Sequence, residues 1–420
     1  MSYLSPSQIR NLLDSLIAEY ETLLENRNKL EVDCNKLKEY IEVQITQINA
    51  LNNDFIKLKD ENVGTVNYNQ GRGNQLPQQM DQQADDQGEQ DWEVQPMIPV
   101  ESIKDPIHVS LVAEIVDVSI ICSTAFSPDN SCLAIGSNKT LRVYHIINDN
   151  FVFQHTIADS SDGQNNHIRS LAWSPDNRYV ICGGEDHYMR VFDIMNNTLA
   201  ASILVGKGEV SGVQCDKGGK FYATVNGDGA VSFWAYDSNQ LLWTGIREDA
   251  KDTLATCICF SDDDKLAAVG YGDNYLAIWD IESKKIVYQL ECHSGGVYSV
   301  KFVPKNKKII TSSLDSTIKI WDFNAQDKNY SMTLFKTLKG HTDYVLTLDV
   351  DPSGKWLLSG SKDLHAILTY IETGDMIYRI KAHTNTIITA SFNTQGTTFC
   401  TGSGDQSVKI WSIAEADSVQ

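Results

Sequence analysis

From about residue 107 onward, apolar and polar positions alternate with a period of two, in short runs broken by small polar residues. The clearest run is Ile309–Asp322, reading IITSSLDSTIKIWD, in which Asp315 sits at a tight turn and Ile318 and Ile320 flank Lys319. Such alternation on both sides of a turn residue predicts a β-hairpin with one buried face. The run recurs, with a turn Asp six residues before an aromatic: Asp186 and Phe192, Asp228 and Trp234, Asp273 and Trp279, Asp315 and Trp321, Asp405 and Trp411. Two looser copies place Asn138 before Tyr144 and Asp363 before Thr369 at the same offset. Seven units result, spaced 42 to 48 residues apart.

The first 64 residues follow a different period. Ser5, Pro6 and Gln8 carry the signals of a helix start: a cap, a proline at the first helical position and a capping-box partner. Leu4 and Ile9 are placed for a hydrophobic staple, and Gly64 is a natural stop. Between them the positions follow a strict 4-3 spacing. One row is Ile9, Leu16, Leu23, Leu30, Leu37, Gln44, Leu51 and Leu58; the other is Leu13, Tyr20, Arg27, Cys34, Ile41, Ile48, Phe55 and Asn62. Eight unbroken heptads predict a coiled coil about 80 Å long. A helix packed on its own β-domain would need a wide apolar face but not this register. Apolar residues flanking the seam (Leu12, Ile17, Leu24, Tyr40, Ile45) widen the stripe and favour three or four helices. Residues 1–64 are therefore expected to form a homo-oligomer, with a tetramer as the favoured state.

Residues 65–105 change composition. Nine glutamines fall between Gln70 and Gln95 among several acidic residues, and large apolar residues are scarce. Too little apolar surface is present to offset the entropy of ordering, so this segment is expected to be a disordered linker, with Trp92 and Met97 placed to dock locally on the β-rich repeats.

A period near 40 to 45 residues with a Trp-Asp ending resembles the WD repeat, in which each unit is a four-stranded propeller blade. The expected fold is thus an all-β, seven-bladed WD-repeat propeller over residues 106–420, preceded by an α-helical coiled-coil oligomerisation segment. Seven repeats leave Ile107–Val112 as an extra strand, suited to supply the outer strand of the last blade so that both ends of the domain lock the ring.

Composition narrows the function. The net charge of −20 with no basic run opposes direct nucleic-acid binding and points to protein partners. No run of 18 apolar residues exists, so no membrane span or signal peptide is expected. Nine cysteines show no CxxC pairing; Cys257 and Cys259 alternate on one strand and read as buried thiols of a reduced, intracellular protein. No GxSxG elbow, phosphate-binding glycine loop or carboxylate cluster stands outside the repeats, so neither an enzyme nor a cofactor is expected.

More specific wording is carried by GSNKTLRVY (Gly136–Tyr144), HIRSLAWSPDNRYVICGGED (His167–Asp186), GHTDYVLTL (Gly340–Leu348), LLSGSKD (Leu357–Asp363) and TGSGDQSVKIW (Thr401–Trp411). These resemble fungal transcriptional corepressors of the Tup type, relatives of Groucho/TLE. The resemblance implies a nuclear, non-enzymatic corepressor. Its helix would tetramerise and bind a TPR-repeat co-subunit, and its propeller top face would grip short motifs of DNA-binding repressors. Histone-tail binding belongs to the pre-propeller region in that family; here that region is short and acidic. The resemblance also implies that His293, His341 and His383 bond within their own blades, through a Ser or Thr, to the turn Asp and the Trp. His167 is out of that register and so freer to face a ligand, and Thr369 leaves the sixth blade without its Trp.

Top-face positions follow from the repeat. The residues before the turn Asp are Ser137, Glu185, Leu314 and Lys362; those where the inner strand begins are His167, Arg169, Tyr298, Tyr344, Leu346, Asn385 and Ile388. Tyr298, Tyr344, Leu346, Leu314 and Ile388 cluster in blades 5 to 7 and suit a peptide groove. Gly295 and Gly296 are expected to leave the Tyr298 ring uncrowded. The rival readings are a G-protein β-subunit, whose helix runs almost directly into its propeller, and a ubiquitin-ligase substrate receptor.

Overall fold

The computed structural model describes residues 92–99, 107–147, 150–158, 166–249, 253–326 and 329–415. The expected coiled coil of residues 1–64 lies outside the described residues. So does the linker, apart from residues 92–99.

Seven antiparallel sheets of at least four strands form the blades. Their inner strands are Ser123–Phe126, Ile168–Trp173, Val210–Cys215, Ala255–Phe260, Val297–Phe302, Val345–Val350 and Ile387–Phe392, for blades 1 to 7 in order. Each packs beside the next, and the seventh packs against the first, closing the ring. Blade 7 borrows its outer strand from the start of the domain. Ile107–Val116 pairs antiparallel with Ser407–Glu415, from Ile107 opposite Glu415 to Val116 opposite Ser407.

The expectation of one buried face per hairpin fails in the middle of each blade. Ile309 packs into the seam with blade 4 and the adjacent Ile310 into the seam with blade 6. Leu266–Tyr271 and Trp356–Ser361 are buried at every position. A blade is sandwiched between two neighbours, so its second strand has no solvent side. Outer strands such as Leu241–Ile246 keep the exposed positions.

Hydroxyls tie all seven seams. Ser123 Oγ donates to the Ile168 carbonyl at 2.8 Å, and Ser211 and Thr256 donate likewise to Ala255 and Val297. Ser170, Ser299, Thr347 and Thr389 instead accept from the amides of Val213, Leu348, Ala390 and Thr124 at 3.0–3.2 Å. An inner strand has no further strand on its channel side, and these bonds satisfy backbone groups that ladder pairing leaves over.

Residues 92–99 do not behave as linker. Glu93–Pro96 forms a fifth strand on the outer edge of blade 6, and Trp92 stands edge-on to Trp411 with ring centroids 5.7 Å apart.

Candidate protein-interaction surface

Six of the seven inner strands carry a β-bulge at the same place, against the strand that comes next in the chain. The residues skipped by the register are Arg169, Ser211, Thr256, Tyr298, Leu346 and Ile388, in blades 2 to 7. A bulge locally re-aims a side chain. Here all six residues line a central channel of about 850 Å³. The identity of each bulged residue thereby sets the character of one sector of the channel mouth: Arg, Ser and Thr in blades 2 to 4, and Tyr, Leu and Ile in blades 5 to 7.

Of the residues picked from sequence, Arg169, Tyr298, Leu346, Asn385 and Ile388 line the channel; His167, Glu185, Leu314, Tyr344, Lys362 and Ser137 do not. Tyr298 and Tyr344 are 37% and 42% exposed. Leu314, Leu346 and Ile388 are half-buried, and Asn385 is exposed, donating to the Gly404 carbonyl at 3.3 Å. Lys362 lies over the Tyr344 ring, with Nζ 4.8 Å from the centroid. Ser137 is fully buried, bonded to Thr140 Oγ1 at 2.7 Å and accepting from Arg142 at 3.0 Å, so it belongs to the core of blade 1.

His167 is engaged as well. Its Nδ1 lies 2.9 Å from Glu185 Oε2, while Arg169 reaches Glu185 Oε1 at 2.5 Å and Glu209 at 3.7 Å. Burial pushes the Glu185 carboxyl up, but hydrogen bonds from His167 and the charge of Arg169 outweigh it and hold the group below its ordinary value. The mouth is thus apolar and aromatic on the side of blades 5 to 7, and carries a compensated charge cluster on the side of blades 2 and 3.

Gly295 and Gly296 act differently from the expectation. A Cβ on Gly295 would stand 2.9 Å from the backbone nitrogen of Asp315, and one on Gly296 would stand 3.1 Å from the Gly272 carbonyl. They let the loop before Tyr298 lie against two turns, and this close approach fixes where Tyr298 starts.

The intrablade bonds agree with the expectation for blades 5 and 7. His293 Nδ1 is 2.9 Å from Asp315 and its Nε2 is 2.8 Å from Thr311 Oγ1, which also accepts from Trp321 Nε1 at 3.0 Å. His383, Asp405, Thr401 and Trp411 repeat the set. In blade 6, His341 joins Asp363 and Ser359 with no indole to complete the chain. Burial pushes the Asp315 carboxyl up, but donors on Thr317 and Ser294 and the charge of His293 prevail and bring it down to about 2. These groups tie the strands and turn of a single blade together.

Sequence reading missed two things here. Ile120, Glu209 and Leu254 also line the mouth, in blades 1, 3 and 4. Each stands six residues before the end of the strand segment that closes with Phe126, Cys215 or Phe260, as His167 does before Trp173. Counting back from that residue, rather than forward from a histidine, locates them. Three of the four blades without a registered histidine, blades 1, 2 and 4, use arginine instead. Arg142 pairs with Asp117, Arg190 with Asp186, and Arg247, 2% exposed, with Asp273 between the rings of Tyr271 and Tyr275. No spacing rule flags Arg247, because it lies on the preceding blade's outer loop.

A closed ring of seven such blades around a central channel defines a WD-repeat scaffold. The family WD domain, G-beta repeat matches residues 115–145, 155–193, 248–280, 284–322, 332–368 and 374–412, more than half of the chain, and the protein belongs to it. The stretch between 193 and 248, which the family does not match, folds as blade 3 all the same. Among curated proteins, Pre-mRNA-processing factor 19 of Bos taurus is 29% identical over 168 residues, covering 40% of this chain and 32% of that protein. Periodic tryptophan protein 2 homolog of Caenorhabditis elegans is 26% identical over 232 residues, covering 55% and 23%. Protein groucho of Drosophila melanogaster is 23% identical over 316 residues, covering 73% and 41%. The matched part spans less than half the length of each of these relatives.

Proposed function

We propose that the protein is a non-enzymatic, nuclear transcriptional corepressor scaffold, recruited by DNA-bound repressors through the aromatic sector of its channel mouth. The observation that carries this reading is the exposed Tyr298 ring, which lines the channel mouth together with Leu346 and Ile388, the bulged residues of the next two blades. Exposed aromatics over a concave apolar floor suit capture of a short peptide motif. The match to Groucho supports it too, since it runs over 316 residues where that to pre-mRNA-processing factor 19 stops at 168. Oligomerisation through residues 1–64 and binding there of a TPR-repeat co-subunit complete the proposal. The acidic residues before the propeller could attract basic histone tails only by charge.

A second reading has one specific support. Pre-mRNA-processing factor 19 matches at the higher identity, 29%, which favours a scaffold in RNA processing. Affinity capture of the tagged full chain, with mass spectrometry of what is retained, separates the two. Recovery of DNA-binding repressors that are lost on Tyr298→Ala supports the corepressor. Recovery of splicing or ribosome-assembly proteins in their place overturns it.

A further inference from the structure

Among the described residues, blade 6 is the one sheet with a fifth strand. Glu93–Pro96 pairs with its outer strand, Asp375–Lys381, so that Glu93 faces Lys381, Val94 faces Ile380, Gln95 faces Arg379 and Pro96 faces Tyr378. The Met97 amide adds one bond to the Ile377 carbonyl at 2.8 Å. Side chains alternate as on any strand. Trp92, Val94 and Ile98 pack onto the core shared by blades 6 and 7, while Glu93, Gln95, Pro96 and Met97 are exposed.

The floor beneath this segment is built by other parts of the chain. Tyr378 Oη donates to the Ile107 carbonyl at 2.6 Å, and the Trp411 ring stacks on Phe399, 6.1 Å between centroids. Neither arrangement needs residues 92–98. Nor does ring closure need them, since Ile107–Val116 already pairs along its length with the last strand. Among the described residues no further strand covers the outer strands of blades 2, 3 and 5, which expose Leu199 and Leu204, Leu241 and Leu242, and Leu334 and Phe335, so a bare outer strand is tolerated in this ring.

The cover on blade 6 is also short. Its ladder spans four residues and includes Pro96, which has no N–H to donate. A strand of that length held by a few half-buried anchors is marginal by itself. Addition of a strand to an exposed sheet edge, with pockets for alternate side chains, is a general mode of peptide recognition.

We propose that the outer edge of blade 6, with the recess beside Trp411, is a binding site for an extended peptide of a partner protein, and that residues 92–98 occupy it in cis. The cis segment states the partner's chemistry: an aromatic residue for the Trp411 recess, an acidic residue opposite Lys381, an aliphatic one opposite Ile380, then a proline two positions on. This site is separate from the channel mouth, and its existence does not depend on the corepressor reading.

The test uses the full chain and a fluorescent peptide of residues 90–99, with binding read by anisotropy. Trp92→Ala with Val94→Ala weakens the cis strand, and the peptide is expected to bind that variant at least tenfold more tightly than the native chain. Adding Lys381→Glu should reduce binding at least fivefold, and a peptide carrying Glu93→Lys should recover it. Tyr298→Ala should leave peptide affinity unchanged. No binding to a double variant that melts like the native chain overturns the proposal, as does binding indifferent to Lys381→Glu. Competition by an equal concentration of native full chain would assign the edge to exchange between copies and overturn the partner reading. Should the double variant unfold, Glu93→Lys in the full chain loosens the cis strand through its exposed face alone. Equal peptide binding to Glu93→Lys and native chains then counts against the site.

Discussion

Thr369 lies opposite Met376 in the strand register of blade 6, at the position where Trp321 and Trp411 close blades 5 and 7. Threonine stands there in place of an indole, and a side chain at Gly340 would collide with the Met376 sulfur. The exchange leaves a polar remainder. Thr369 is fully buried, and its Oγ1 has no hydrogen-bond partner among the described residues. Removing a buried hydroxyl that bonds nothing should be favourable, because its desolvation is uncompensated. Thr369→Val is expected to stabilise the propeller by about 1 kcal/mol. Urea unfolding of the two proteins side by side checks this, and a lower midpoint for the variant would show that the hydroxyl has a partner.

Trp321 presents the opposite case. It is 7% exposed and donates to the hydroxyl that His293 also uses. Trp321→Ala removes the ring from the seam of blades 4 and 5 and deprives Thr311 of its donor. Loss of a buried aromatic costs about 3–5 kcal/mol. Thermal unfolding should therefore shift well below that of the native chain. An unchanged melting temperature would sink the assignment of Trp321 to the core.

Acid should loosen the same sets of groups. Asp315 is held down at about 2, and Asp363 and Asp405 are also lowered, each by hydrogen bonds that outweigh burial. Burial lowers His293 despite the neighbouring carboxylate of Asp315. A depressed carboxyl contributes stability above its unfolded value of about 4, and that contribution is lost as pH falls toward the folded value. A depressed histidine acts in the same direction, beginning below about 6.5. Stability should be flat above pH 7 and decline from about 6.5 toward 2. Asp315→Asn should start lower at neutral pH and show a shallower decline; parallel urea midpoints at pH 7, 5 and 3 measure both. A decline of equal steepness in the variant would remove Asp315 from the account.

At the channel mouth, Tyr298→Ala together with Asn385→Asp should abolish capture of repressor peptides. An aromatic anchor at the centre of a small interface contributes at least about 2 kcal/mol. Both side chains are exposed, so the melting temperature and oligomer size should be unchanged. Pull-down and light scattering on one preparation read the two halves. Undiminished binding by the folded variant would move the site toward His167 and Glu185.

Much of the fold was legible because each blade writes the same local code. The six-residue offset from Asp315 to Trp321 reflects one turn and one strand, whose geometry the chain sets over a few residues. Blade 3 could be counted from Asp228 and Trp234 even though the family profile passes over it. The extra strand at Ile107 was legible for a similar reason, since seven copies left one strand unassigned. The site was less so. Ser137 occupies the same place in its repeat as Glu185, yet it is buried because Arg142 folds over it toward Asp117. His167 looked free by register and is held by Glu185, a contact between two loops that no local spacing records.

The alternation of apolar residues by itself determined that the chain forms short strands, how many units it has and where each turns. Those are properties of neighbours along the chain, fixed by side-chain period and turn chemistry. Ring closure decided the rest. Packing every blade between two others buried both faces of Lys308–Ser313, where the hairpin alone called for one. Bulges in six inner strands turned Tyr298, Leu346 and Ile388 to one side of the mouth and Arg169 to another. A four-residue strand from a segment that reads as linker found the edge of blade 6, because Trp92 had the recess beside Trp411 to enter. Contacts between residues about 300 positions apart are set by the closed shape of the propeller, and a period of two carries no information about them.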